Sequence, residues 1–351
     1  MNGTINVLDC TLRDGGQGLE DLNKYGFKTE EFTENDRIRI AELARDAGID
    51  IIEIGTISEI HGDDQKKFAI YRDVQTLSRF KPGQTSSDRI YTGLYLGPDI
   101  PVDKIPEYSP ELVDGIRVIL RYSELKKSVD FCAAIAKKNY KVFVQPMLTM
   151  RYTDDEINYL VDSANEMGAY ALYFVDSFGY MTEKDVDRFA NHYLKRLDKG
   201  IKIGFHAHNN MENAFLNVKY FIETFPERER IIDSCAVGMG TGTGNLQTEV
   251  LVNYLNKNSN TDYDFEKVLE ICEILEKFRP AAQGTWGYTP LRFIPAAHNT
   301  SYKFAVAMRM KYNMTFVQIN RVMSEMPDEL RFRYTPEILE KILSDMGFIG
   351  K

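Results

Sequence analysis

The sequence predicts an α/β protein, a (β/α)8 TIM barrel with a C-terminal helical extension. Three observations carry that prediction. Eight short apolar, β-branched runs recur as far as residue 237. The last five begin at residues 116, 141, 171, 201 and 231, about 25–30 residues apart, the length of one strand plus one crossover helix. After about residue 258 the strand pattern stops and only helical patterning continues.

The eight runs are 5–9, 49–55, 90–96, 116–120, 141–146, 171–176, 201–205 and 231–237. They are apolar on both faces, as strands of a parallel sheet covered by helices must be. No GxGxxG follows the first run, which disfavours a doubly wound open sheet. Three helix starts are marked by a threonine with an acid three residues on: Thr33 with Asp36, Thr153 with Glu156, Thr182 with Asp185. Gly48, Gly168 and Gly200 stand where a helix should end before the next strand. Later, 265–279, 296–309, 315–323 and 335–345 read as helices, with a Gly- and Pro-rich connection over 280–295. The predicted units are a barrel domain, 1–258, and a C-terminal helical domain, 259–351.

Composition narrows the function. The 351 residues are 43% hydrophobic and 27% charged, a globular mix. Lys plus Arg is 43 against 52 for Asp plus Glu, a net charge of −9. That balance argues against a nucleic-acid partner, yet leaves room for one small anionic ligand. Four cysteines, with no CxxC, read as buried free thiols. No basic segment leads into a long apolar run at the N-terminus, and no apolar stretch reaches the ~18 residues of a membrane span. A cytoplasmic protein with no membrane partner is the expectation.

Barrel active sites are built at the C-terminal strand ends. The first strand leads into Arg13-Asp14-Gly15-Gly16-Gln17, either an anion site beside a metal ligand or a glycine turn with a surface ion pair. The seventh ends in His206-Ala207-His208. Side chains two apart on an extended chain point the same way, so both imidazoles can reach one metal. Two buried, hydrogen-bonded histidines are the alternative. After the eighth strand comes a loop of alternating glycines, Gly240 and Gly242 among them, a flexible lid or a phosphate cradle. Asn245 heads the predicted helix that follows, and the lack of a lysine excludes a P-loop. Asp176, ending the sixth strand, is a catalytic acid, a group orienting a metal-bound histidine, or a helix cap. Glu53 and Arg117 are buried by context and so need a partner or a role.

Together these segments resemble the DRE-TIM metallolyase (HMG-CoA lyase-like) superfamily, and within it the 4-hydroxy-2-oxovalerate aldolases most. The matching pieces are DCTLRDG at 9–15, IEIG at 52–55, DSFG at 176–179, HAHN at 206–209 and GMGTGTGN at 238–245. They follow the family order over 5–255, and Gly287-Tyr288 and the helices after it extend the likeness to about 325. The resemblance implies a divalent metal (Mn2+, Mg2+ or Zn2+) held by Asp14, His206 and His208, with Asn245 near or on it. It implies a pyruvate-type 2-oxo acid that passes through an enolate. The metal polarises its carbonyl and Arg13 stabilises the enolate oxygen. The catalytic candidates are then Arg13, Gln17, Glu53, Asp176 and Tyr288, and the substrate-binding candidates Arg117, Gly240 and Gly242.

The implied activity is a metal-dependent aldolase or lyase making or cleaving a carbon–carbon bond of a small 2-oxo acid. Alternatives are an acyl-CoA-dependent Claisen condensation and a non-catalytic binding protein that kept the barrel. An aldehyde dehydrogenase partner and a homodimer follow by analogy. The chain also departs from the pattern. The aldolases carry a histidine four positions after the motif arginine, where this chain has Gln17. Tyr288 is the candidate replacement acid/base, weighed against a packed tyrosine of the extension. Residues 18–32 read as an insertion over the pocket mouth, with Leu19, Tyr25 and Phe27 as lid candidates. The related carboxyltransferases need a lysine at the end of the sixth strand, where this chain has Val175. His61 and His192 read as solvated, and His298 as core or surface.

Overall fold

A computed structural model describes residues 3–24, 26–59, 63–83, 89–278 and 286–349. Eight parallel strands form a closed barrel: β1 (Ile5–Asp9), β2 (Ile51–Ile57), β3 (Ile90–Tyr95), β4 (Gly115–Leu120), β5 (Lys141–Pro146), β6 (Ala171–Asp176), β7 (Lys202–Ala207) and β8 (Arg230–Ser234). Closure is direct, because β1 pairs with β8 (Ile5 beside Arg230) and with β2 (Leu8 beside Ile51). All eight predicted strands are present. A two-residue strand, Ile70–Tyr71, also pairs with the end of β2 past a bulge between Glu53 and Thr56. It is too short to leave a periodic signal.

The helices are α1 (Thr11–Lys24), α2 (Glu34–Asp46), α3 (Val74–Ser78), α4 (Leu125–Ala136), α5 (Asp154–Met167), α6 (Glu183–Arg196), α7 (Ala214–Thr224), α8 (Thr248–Asn258), α9 (Phe265–Leu275), α10 (Pro290–Ala297), α11 (Tyr302–Tyr312), α12 (Phe316–Glu325) and α13 (Pro336–Asp345). The predicted capping boxes at Thr33, Thr153 and Thr182 open α2, α5 and α6. Gly168 is the left-handed cap of α5, at φ +62°. Gly200 is not a cap, since α6 ends four residues earlier with Leu197 as its C-cap.

Three more expectations change. The glycine turn after β1 is the first half of α1. Glycine costs a helix about 1 kcal/mol relative to alanine, so the sequence argues against one here. Packing supplies the reason: a Cβ on Gly16 would collide with the Phe68 carbonyl oxygen, and one on Gly18 would lie 2.6 Å from that of Gly240. Residues 18–24, the first part of the segment 18–32, are therefore helix. Leu19 is in the core and Phe27 is half-buried, while Tyr25 lies outside the described residues, as does His61. The single helix predicted over 296–309 is two, broken where Asn299 takes φ +48°. Asn245 does not head a helix, because α8 starts at Thr248.

The main core lies between strands and helices, and Val268, Ile271 and Leu275 of α9 belong to it. A second cluster, Leu8, Cys10, Ile51, Phe143, Tyr173, Ile231 and Cys235 among it, fills the barrel interior. The helices α10–α13 share a core of their own, with Phe304, Met308, Ile319, Val322 and Leu339. No described helix is long and apolar enough to cross a membrane.

Candidate active site

Asp14, in the first turn of α1, is set beside the barrel mouth by the turn leaving β1. Asp9 accepts from the Thr11 amide (3.1 Å) and hydroxyl (2.9 Å), and the Asp14 amide donates to the Cys10 carbonyl (2.8 Å). His206 and His208, two apart at the end of β7, turn toward the same space. Their rings are 5.1 Å apart, and ligand atoms of Asp14, His206 and His208 all lie within 4.8 Å of one another. All three are buried.

A closed ring of charges supports them. Arg13 Nε donates to Glu53 Oε2 (2.7 Å), and Arg117 Nη1 donates to the same oxygen (2.9 Å). Arg117 Nη2 donates to Asp233 Oδ2, which also bonds His206 Nδ1 (2.8 Å). His206 Nε2 faces Asp14 Oδ2 (3.4 Å), and Asp14 Oδ2 returns to Arg13 Nη1 (3.3 Å). With Nδ1 occupied by Asp233, His206 presents Nε2 to the space shared with Asp14 and His208.

The electrostatics suit a cation. Burial would raise the Asp14 pKa, but the Arg13 guanidinium and the hydrogen bond to His206 hold it well below the usual carboxylate range. Burial pushes His208 down to about 4, so it is a neutral imidazole. Burial would also lower His206, yet hydrogen bonds to Asp14 and Asp233 hold it well above its usual value. That proton is the positive charge a divalent cation would displace. One ionised carboxylate with two imidazoles is a catalytic donor set. Asn245 adds to the fit. Its Nδ2 donates to Asp14 Oδ2 (2.9 Å) and the Met239 carbonyl (3.2 Å), while its Oδ1 is buried with no hydrogen-bond partner among the described residues. Gly240 allows this approach, since a Cβ there would collide with Asn245 Nδ2.

Above the donors opens a cavity of about 340 Å³. Arg13, Asp14, His206 and His208 line its floor, Leu94, Ile119, Met147 and Val175 its wall. Gln17 lines it too, its Nε2 donating to Thr56 Oγ1 (3.0 Å). Gly242 lines it with its carbonyl bonded by Arg292, and Thr243 N donates to Asn210 Oδ1 (3.0 Å). These contacts clamp the glycine loop.

Four candidates stand elsewhere. Arg117 is fully buried with its guanidinium committed to Glu53 and Asp233, and it is not among the residues lining the cavity. Glu53 is likewise buried, bridges two arginines and is not among the residues lining the cavity. Tyr288 is 54% exposed and rests against Phe293, away from the cavity. Asp176 caps its own loop, accepting from the amides of Tyr180 (2.8 Å) and Met181 (3.1 Å). The group orienting His206 is Asp233, which sequence reasoning missed. His298, for its part, bonds Asn320 (2.9 Å) outside the cavity.

Burial pushes the Asp176 carboxyl from 3.8 up to about 7 against those two amides. A pKa raised on folding means the fold holds the proton more tightly than the unfolded chain. This contribution is therefore full below about pH 4 and is lost as pH rises through about 7, at most about 4 kcal/mol. Melting curves of the protein and of Asp176→Asn between pH 4 and 8 should diverge in that direction, with the variant gaining relative stability as pH rises. Parallel curves would contradict the raised pKa. Asp233→Asn keeps an acceptor for His206 but removes its charge. It should weaken metal affinity about 10–100-fold, measured by competition with a chelating dye. Wild-type affinity would mean that Asp233 has no hold on the ligand.

The chain is similar to known proteins in sequence and in fold. Residues 117–275 match the HMGL-like family model. A 4-hydroxy-2-oxovalerate aldolase of Burkholderia pseudomallei is 27% identical over 289 residues, spanning 78% of this chain and 75% of that protein. An oxaloacetate decarboxylase of Mycobacterium tuberculosis is 24% identical over 254 residues, 72% of this chain and 70% of that protein. Among solved structures, the HMG-CoA lyase of Brucella melitensis shares the fold, with TM-score 0.62 and 14% identity over 79% of this chain and 99% of that one.

Proposed function

We propose that this chain, an HMGL-like protein of the DRE-TIM superfamily, is a divalent-metal-dependent carbon–carbon lyase, an aldolase acting on a small 2-oxo acid through a pyruvate-type enolate. The observation that carries the reading is the convergence of Asp14, His206 and His208 on one point at the floor of the cavity. A bound divalent cation (Mn2+, Mg2+ or Zn2+) would supply Lewis acidity toward the substrate carbonyl there. Arg13, held by Glu53 and Asp14, keeps a fixed positive charge beside the position where the enolate oxygen develops, which favours the charged intermediate over the ground state. Leu94, Ile119, Met147 and Val175 give that carbanion-like centre an apolar side. Gln17 stands where the aldolases carry their histidine and is no base, so in cleavage the substrate hydroxyl would give its proton to water in the cavity while Gln17 orients the substrate.

A second reading is favoured by that same glutamine and by the decarboxylase relative. Decarboxylation of a 2-oxo diacid reaches the same enolate by loss of CO2 and needs no base on a substrate hydroxyl. Incubating the protein with Mn2+ and pyruvate in D2O tests the shared core. Exchange of methyl protons, followed by NMR, is expected, and its absence in the metal-loaded protein would overturn enolate chemistry. Cleavage of a 4-hydroxy-2-oxo acid against CO2 release from oxaloacetate then separates the two readings. Assembly with an aldehyde dehydrogenase and homodimer formation extend the aldolase reading, and gel filtration of the mixed proteins tests both.

A further inference from the structure

Building on the aldolase reading, we propose that the second substrate is an aldehyde bearing an anionic group, a carboxylate or a phosphate, at the end remote from its carbonyl, and that Arg333 receives that group.

The outer wall of the cavity comes from the C-terminal region: Tyr302 and Lys303 open α11, and Phe332, Arg333 and Tyr334 precede α13. The segment carrying Arg333 is anchored on both sides. Phe332 stacks on Phe178 (6.4 Å between centroids, 16°), and the Arg151 guanidinium lies 3.8 Å from its ring centre. Arg331 Nη1 donates to the carbonyls of His298 (3.0 Å) and Met323 (2.8 Å), and Tyr334 packs edge-on against Phe304 (5.2 Å).

Between these anchors Arg333 faces the cavity and makes no ion pair or hydrogen bond with any described residue. Lys303 differs. Its charge is spent on Asp21 (2.9 Å), which also accepts from the Tyr302 hydroxyl (2.9 Å). Among the described residues the mouth therefore keeps one uncompensated cation, in a chain of net charge −9. Arg333 is exposed on an anchored segment, and its guanidinium fork can pair with both oxygens of a carboxylate or phosphate.

The cavity, about 340 Å³, has the volume for such a ligand. Of the residues lining it, Arg13, Asp14, His206 and His208 are buried and Arg333 is exposed, which sets the floor at the donors and the rim at Arg333. A three-carbon 2-oxo acid at the floor leaves room for an aldehyde reaching the rim.

The test compares kcat/KM of the Mn2+-loaded enzyme, with pyruvate, for succinic semialdehyde against butanal and for glyceraldehyde 3-phosphate against glyceraldehyde. A preference of at least tenfold for one anionic member is expected, and the pair that shows it identifies carboxylate or phosphate. Arg333→Ala should lose most of that preference through KM, and Arg333→Lys should keep part of it. Equal use of charged and neutral aldehydes, or an Arg333→Ala defect equal for both, would overturn the proposal. Pyruvate exchange in D2O reports on the aldolase reading separately. Should no aldehyde react, calorimetric titration with succinate and with inorganic phosphate decides. Binding lost in Arg333→Ala supports the anion site, and no binding of either anion overturns it.

Discussion

Asp14→Asn should leave a folded protein that has lost its reaction. The side chains are nearly isosteric, and the substituted amide can still meet Arg13 and Asn245 by hydrogen bonds, so the fold is expected to survive. What disappears is the one negative charge among the three converging donors. Arg13 holds that charge in place against burial, and a neutral amide cannot replace it. Metal affinity should fall at least about 100-fold, and kcat/KM about 10³-fold or more, since Lewis-acid stabilisation is worth several kcal/mol and each ~1.4 kcal/mol is tenfold. His208→Ala should act in the same direction, with a smaller loss of affinity because a neutral ligand is removed. Metal content after dialysis, turnover and circular dichroism measure the three quantities. Full metal occupancy with unchanged turnover in both variants would refute the assigned ligand set.

Why Asp14 and the histidines were legible in the sequence, and their support was not, follows from distance along the chain. A histidine pair two apart on a strand end encodes its geometry locally, through the alternation of a β-strand. Asp233 meets Arg117 across 116 residues, and neither side chain sits in a motif. Only the closed barrel puts them together. The start of α1 failed for another reason: its glycines read as a break, while close packing against Phe68 and Gly240 requires them. Tyr288 drew attention by its neighbourhood in the sequence, yet it ends outside the cavity. Lys303 and Arg333 belong to no motif and carry no local signal in the sequence. Their place at the rim depends on how the helices after β8 fold back over the barrel mouth, which no local pattern specifies.

Glu53→Gln should be the most destabilising conservative change in the chain. One carboxylate oxygen of Glu53 accepts from Arg13 and from Arg117, and all three side chains are buried. Removing the charge leaves two guanidinium ions in the barrel interior without the anion they share. Arg13 keeps Asp14 and Arg117 keeps Asp233, so the loss is partial for each. Breaking one partner out of a buried ionic network costs about 3–5 kcal/mol, a large part of a total stability of roughly 5–15 kcal/mol. The melting temperature should drop by about 6–20 °C at the scale of roughly 2–4 °C per kcal/mol. Activity should fall as well, because Arg13 loses the contact that aims it at the enolate oxygen. The double variant Glu53→Gln/Arg117→Met separates charge imbalance from simple loss of contacts. Replacing Arg117 by an apolar side chain removes one of the two stranded cations, so the double should lose less stability than the two single changes summed. Thermal melts of the four proteins give that coupling. A strictly additive cycle would mean that Glu53 and Arg117 act on the fold independently, and the ring would then be a set of separate contacts rather than one balanced network.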